Sequence, residues 1–288
     1  MNELQGNNLK LLNGFTEEYI TRNDNDLGFK ESKVIFDFPL IGCSKASDPL
    51  FKELKKYVGD FHWTPEEIFK YMYPEYDINK SNISVLSFAF PVSEYIRQSN
   101  KNENIFPSEE WTRGRIYGEL FIEIFENKLC DFLNGKGYKS VAPMRTEFWR
   151  KVNSDKFGYA STWSHRHIAY VCGLGTFGLC DGLITEKGKA VRLGSIITEL
   201  DIPETPRKYS SHNENCLYYT SGKCSSCIKR CPANAISEIG HDKKKCNDYI
   251  TYSVTEHNQK EYKLGRGGCG LCQVKVPCES LNPTNNKE

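Results

Sequence analysis

The sequence predicts a chain of mixed helices and strands that ends in a small cysteine-rich module, with the boundary near residue 205. Three observations predict it. Capped helix starts stand at Asp48-Pro49 and at Thr64-Pro65-Glu66-Glu67. An apolar run from Ile83 to Phe90, closed by Pro91, has the character of a buried strand. The stretch from Cys216 to Cys278 holds eight of the twelve cysteines.

Residues 1–32 are polar and weakly periodic; a helix around Thr16 to Thr21 is the only element expected there, and no function is assigned to it. Lys33 to Phe38 is predicted as a short strand ending at Pro39. After Ile41-Gly-Cys-Ser-Lys, Asp48 caps and Pro49 opens a helix carrying Leu50, Phe51, Leu54, Tyr57 and Val58, and Gly59 stops it. The next helix carries a capping-box glutamate and ends by Pro74. The longest element runs from about Ser108 to Asn134, with Tyr117, Leu120, Phe121, Ile124, Phe125, Leu129, Phe132 and Leu133 on one face. Trp111, Arg113 and Arg115 at its start either cover the surface or meet a ligand, and Cys130 packs as a small apolar residue.

Lysine and arginine number 38 against 37 acidic residues, which argues against a broad phosphate-binding surface and leaves room for a local basic patch. No stretch is long and apolar enough to span a bilayer, and Met1 to Gln5 carry no basic-then-apolar signal. The expectation is a cytoplasmic, reducing location, suited to free thiolates. The asparagine-rich tail after Cys278 is expected to be loose.

The stretch from Tyr159 to Thr198 predicts a short helix capped by Ser164 and ending at Gly173, then a glycine loop, Gly173-Leu-Gly175-Thr176-Phe177-Gly178, and a hairpin turning at Glu186-Lys-Gly188. Three glycines in six residues let the backbone approach a flat or bulky group, or simply make a tight turn. The loop follows a helix instead of a strand, so the dinucleotide fingerprint fails its context.

Cys224-x2-Cys227-x3-Cys231-Pro232 matches the run of bacterial two-cluster ferredoxins, in which the fourth cysteine ligates the other cluster. By that logic Cys216, Cys224, Cys227 and Cys278 hold one [4Fe-4S] cluster, and Cys246, Cys269, Cys272 and Cys231 hold the other. An insertion separates Cys216 from Cys224, and Cys246 lies far upstream of Cys269, so these two ligands are the weakest members of the pattern. The alternative is zinc, since two Cys-x2-Cys pairs can hold a tetrahedral ion, although zinc leaves the Cys-Pro and the other cysteines unexplained. A disulfide framework suits neither the length nor the expected compartment.

The glycine loop, the Leu-Ile-Thr and Leu-Gly-Ser strands after it, Cys227-x3-Cys231-Pro232, Lys245-Cys246-x2-Tyr249 and Gly268-Cys269-Gly-Leu-Cys272 together resemble the epoxyqueuosine reductase family and its shorter relatives, themselves similar to reductive dehalogenases. The resemblance runs from about Ile41 to Cys278 and implies an α+β architecture. In it, residues 1–205 form a nitroreductase-like corrinoid-binding domain and residues 206–288 a ferredoxin-like two-cluster domain. It also implies an external low-potential donor of ferredoxin or flavodoxin type. Electrons would then pass through the clusters to a base-off cobalamin and on to a small or nucleoside-like substrate.

Three positions depart from the family. The aspartate general acid that it carries before Arg166 falls on or near Tyr159. Leu179 stands where the glycine loop continues with a lysine, and ten residues follow Cys278 where the family continues with segments that help grip tRNA. A tRNA partner is accordingly disfavoured. Tyr159 becomes the proton-donor candidate or an ordinary packed aromatic, with His165 and His167 as alternative acids of which one at most should reach the site. Cys172 and Cys180 flank the loop and either line the cavity or lie buried and inert. The rival expectation is a ferredoxin-type electron carrier without corrinoid, docking on a partner enzyme. A cofactor-sized cavity beside the cluster nearest the glycine loop separates the two.

Overall fold

The computed structural model describes residues 3–22, 25–26, 28, 33–77, 82–154 and 158–285. At its centre is a four-stranded antiparallel sheet in the order β1 (Leu40–Lys45), β2 (Ser84–Pro91), β8 (Val191–Thr198), β3 (Ser140–Val141). All eight residues of β2 are buried, as its unbroken apolar run requires. Its side chains alternate between two layers. Leu86, Phe88 and Phe90 face α1 (Glu3–Ile20) and α5 (Glu109–Gly135), whereas Val85 faces α2 (Pro49–Val58), α3 (Pro65–Met72) and α6 (His165–Val171). The result is a helix, sheet, helix sandwich.

The locally encoded helices form where their caps stand. Asp48 accepts from the Leu50 amide at 2.9 Å, and Gly59 closes α2. Thr64 and Glu67 complete a reciprocal capping box on α3. Ser108 caps α5 by accepting from Trp111 N.

Several expectations are corrected. The N-terminal helix spans Glu3–Ile20, far longer than the turn expected at Thr16 to Thr21, because Leu12, Thr16 and Tyr19 bury one edge. Parts of that polar segment lie outside the described residues. Lys33 to Phe38 makes only isolated bridges, at Val34 and Phe36. The Asn25 side chain takes both backbone groups of Phe36, accepting from its N–H at 3.0 Å and donating to its carbonyl at 2.8 Å, in place of a neighbouring strand. On α5, Leu120 and Ile124 are exposed, whereas Trp111 is buried beneath Gly270, whose positive φ of 64° lets the backbone lie against the indole. The expected turn at Glu186-Lys-Gly188 closes, with Thr185 and Gly188 exchanging both backbone hydrogen bonds, but the strands then part: β7 (Leu183–Thr185) pairs with β6 (Gly175–Phe177), and β8 enters the main sheet. Up to Asn285 the tail is hydrogen-bonded through Asn282, not loose.

The cysteine-rich segment is stitched to the sheet. Lys189 N donates to the Cys278 carbonyl and Ala190 N to the Glu279 carbonyl, one residue before β8 begins. Buried Glu279 takes Arg97 at 2.8 Å and Lys101 at 2.9 Å from α4 (Glu94–Lys101). Arg230 reaches the carbonyls of Asn100, Glu103 and Leu271, clamping the segment to the connection between α4 and α5.

Candidate functional site

The eight cysteines divide between two cavities. Cys216, Cys224, Cys227 and Cys278 line one, among Leu179, Ile184, Val276 and Pro277. Cys231, Cys246, Cys269 and Cys272 line the other, a cavity of about 420 Å³. Short turns present them: Cys216 caps α7 (Leu217–Ser221), Cys227 lies in α8 (Ser226–Lys229), Cys246 in α9 (Lys243–Tyr249) and Cys272 in a 3-10 turn. The Cys231 sulfur accepts from the Ala235 amide at 3.3 Å. No cysteine is in a disulfide. Among the described residues, no group of three or more His, Cys, Asp or Glu lies close enough to hold a single metal ion. The grouping by fours around two spaces, with apolar neighbours, fits the soft donor set of two cubane clusters.

Between the two groups sits a ninth thiol. Cys180 contacts Cys227 on one side and Cys272 on the other, and the buried Lys189 ammonium donates to its sulfur at 3.2 Å. Cys180 thus lines the cavity, whereas Cys172 lies in the core with its thiol on the Val85 carbonyl at 3.3 Å.

His165 borders the same cavity, but both ring nitrogens face inward: Nδ1 lies 2.9 Å from Ser195 Oγ and Nε2 3.3 Å from Glu126 Oε1. Glu126 is fully buried on α5 and accepts from Arg145 Nε at 2.9 Å and from Ser195 N at 2.8 Å. Trp163 Nε1 donates to the same Ser195 hydroxyl. Burial pushes the Glu126 pKa up to about 7 and the His165 pKa down to about 3. Nothing in the local sequence marks Glu126 or Arg145, because the network is assembled from four separate elements.

The remaining site residues lie elsewhere. His167 bonds Ser164 Oγ at 2.8 Å and packs on Phe177, and both line a separate cavity of about 490 Å³ with Arg166 and Gly178. Gly173 and Gly175 border a third cavity; a Cβ on Gly175 would meet the Ile184 carbonyl at 2.1 Å, so this glycine makes room for β7. Thr176 Oγ1 accepts from Asn215 N at 2.8 Å. None of the five glycine-loop residues lines the cavity of the Cys231 group. Tyr159 is 43% exposed on the hairpin of β4 (Lys151–Ser154) and β5 (Gly158–Ser161). Strand alternation gives it the same face as Ser161, which does line that cavity. Arg115 lines it as well, paired with Glu119, and Arg113 pairs with Glu109.

A mixed α and β chain with eight cysteines divided between two cavities is the setting for comparison with known proteins. No protein-family model matches the chain. In sequence it is similar to epoxyqueuosine reductases. The protein of Lactococcus garvieae is 30% identical over 196 residues, covering 65% of this chain and 50% of the relative. That of Leadbetterella byssophila is 22% identical over 221 residues, covering 75% and 58%. The chain therefore spans about half the length of these curated relatives. A crystal structure of epoxyqueuosine reductase with a tRNA-Tyr epoxyqueuosine-modified tRNA stem loop aligns with a TM-score of 0.48 at 18% identity, covering 94% of this chain and 66% of that one. A reductive dehalogenase with a proposed B12-dependent mechanism aligns with a TM-score of 0.46 at 13% identity, covering 82% and 29%. Among the described residues no helix is long and apolar enough to cross a membrane.

Proposed function

We propose that the protein is an iron-sulfur oxidoreductase that delivers electrons to a small or nucleoside-like substrate in the cavity of about 420 Å³. In this reading Cys216, Cys224, Cys227 and Cys278 hold one [4Fe-4S] cluster, and Cys231, Cys246, Cys269 and Cys272 the other. The carrying observation is the partition of the eight thiols between two cavities, which follows the crossed ligand order of two-cluster ferredoxins. Such clusters supply one-electron transfer at potentials set by burial and by hydrogen bonds to sulfur. The chain's own part is to stabilise negative charge there, through the Ala235 amide at Cys231 and the Lys189 ammonium. Residues 206–288 are the ferredoxin-like part in this reading. Residues 1–205 are the nitroreductase-like part that holds the substrate, and an external low-potential ferredoxin or flavodoxin is the electron source. Twelve free cysteines suit a reducing cytoplasm.

The similarity to epoxyqueuosine reductases supports a corrinoid as a further cofactor, but the fit in this chain is partial. A cavity of about 420 Å³ stands toward the lower end of the range for small-molecule sites, roughly 300–1,000 Å³. A corrinoid with its side chains is larger, and the glycine loop expected against it does not line this wall. That observation favours the second reading, an electron carrier docking on a partner enzyme. The near-balanced charge of the chain gives tRNA no broad footing.

Iron, zinc and cobalt counted per chain, after anaerobic purification and incubation with cobalamin, test the proposal. Two cubanes give about eight irons. Cobalt near one adds the corrinoid, and its absence leaves the cavity to substrate alone or to the carrier reading. Zinc in place of iron overturns the proposal. Because His165 is largely buried with Nδ1 on Ser195 and Nε2 turned to Glu126, and His167 lines a separate cavity, Tyr159 is the first proton donor to test. Tyr159→Phe is expected to lower turnover by about 10²–10⁴-fold with iron content unchanged. Unchanged turnover removes Tyr159 from the reaction.

A further inference from the structure

One cation in the cavity wall has no hydrogen-bonded or ion-paired partner of its own among the described residues. Arg192 stands on β8 opposite Phe90 of β2, so its backbone is fixed by the central strand pair of the sheet. Its side chain lines the cavity beside Arg115 and Glu119. The other cations of this wall are engaged. Arg115 Nη1 holds Glu119 Oε2 at 2.5 Å, Arg166 Nη1 donates to the Asp181 carbonyl at 2.7 Å, and Lys189 holds the Cys180 sulfur. Among the described residues the Arg192 side chain makes neither a hydrogen bond nor an ion pair. Burial, then the neighbouring Arg115 charge, lowers its pKa to about 9, with Glu119 opposing.

The Arg192 guanidinium is partly exposed to the cavity, and its five N–H donors match a carboxylate or phosphate two at a time. Glu119, the carboxylate of this wall, is already committed to Arg115. We propose that Arg192 is the anion-binding residue of the cavity, gripping the carboxylate or phosphate of a small-molecule ligand, with Arg115 as the second cation beside it. This rests on the reading of the cavity as the substrate site, and it narrows the substrate to an organic anion. A cationic ligand is repelled by the same pair.

The test titrates inorganic phosphate and, separately, succinate into anaerobically purified protein by calorimetry, with ionic strength held by chloride. Saturable binding of at least one anion is expected, weakened about tenfold or more in Arg192→Gln and partly kept in Arg192→Lys, which retains the charge and loses the fork. Anion-free, Arg192→Gln is expected to melt at or above the wild-type temperature, because it removes an unpaired charge. The bound anion should raise the wild-type midpoint and not that of the variant. No binding by the wild type, equal binding by Arg192→Gln, or a lower anion-free midpoint for Arg192→Gln each overturns the inference. Iron content keeps the two readings apart. Anion binding without iron leaves Arg192 its role and removes the redox reading, whereas about eight irons with no anion binding does the reverse.

Discussion

The double substitution Cys231→Ser with Cys272→Ser is expected to leave about four irons per chain, whereas Cys227→Ser with Cys231→Ser should leave almost none. The pairs differ only in how their members are shared. Cys231 and Cys272 line the same cavity although they come from different runs, while Cys227 and Cys231, four residues apart in one run, line different cavities. If each run served its own cluster, the two outcomes would be exchanged. Iron analysis with low-temperature EPR of the reduced proteins reads this directly, and electron delivery should collapse in both variants, since either cluster alone breaks the relay. Serine is nearly isosteric, so loss of fold is not the expected route to the loss of iron.

Glu126 carries the second large effect. Its carboxylate is fully buried and collects Arg145, the Ser195 amide and His165. Glu126→Ala is expected to cost about 3 kcal/mol at pH 8, because it leaves Arg145 only the half-exposed Glu123 at 3.5 Å. For a chain of this size that lowers the melting midpoint by about 10 °C, at ~2–4 °C per kcal/mol. The pH dependence has a definite sign. Burial raises the folded pKa to about 7, above the unfolded value of 4.5, so the native state binds the proton more tightly. The stability contributed by this group is complete below the unfolded pKa and is lost as pH rises toward 7. Glu126→Gln, which cannot ionise, should lose that slope of up to about 1.4 kcal/mol per pH unit, so its deficit against wild type shrinks as pH rises. His62, His165 and His167 run the other way. Burial lowers them to about 4, 3 and 3, and their contribution is lost as pH falls below the unfolded 6.5. Both proteins share that acid limb, so only the difference between them reports Glu126. Equal deficits at pH 5 and pH 8 would sink the assignment.

What was legible in the sequence is what local chemistry decides. Asp48, Thr64 and Glu67 fix their helices through bonds two or three residues away, and the cysteine runs announce themselves because few other uses of thiols require those spacings. What was not legible comes from distant partners. The N-terminal helix is polar, and its length reflects burial against α5 more than propensity. The segment expected as a strand at Lys33 pairs only at isolated bridges, and the backbone of Phe36 is taken by the Asn25 side chain, eleven residues away. Glu126 sits where any charged residue of a long helix could sit, and its main-chain partner, Ser195, lies 69 residues away. Arg192 looks like an ordinary strand arginine until the cavity beside it is seen.

The pairing of Lys189 and Ala190 with Cys278 and Glu279 also constrains the order of assembly. During synthesis the strand-edge amides emerge long before the carbonyls that satisfy them, and Arg97 waits across 182 residues for Glu279. Contacts of such span make for slow final docking. The sheet and its helices therefore have a period in which they fold without the last cysteine, and closure of the Cys216 group becomes the concluding event of maturation. In a pulse-labelled hydrogen-exchange experiment, the β2 and β8 amides would gain protection first, and the Lys189 and Ala190 amides last. A chain stalled before Glu279 would hold a folded body with an open seam along its redox end.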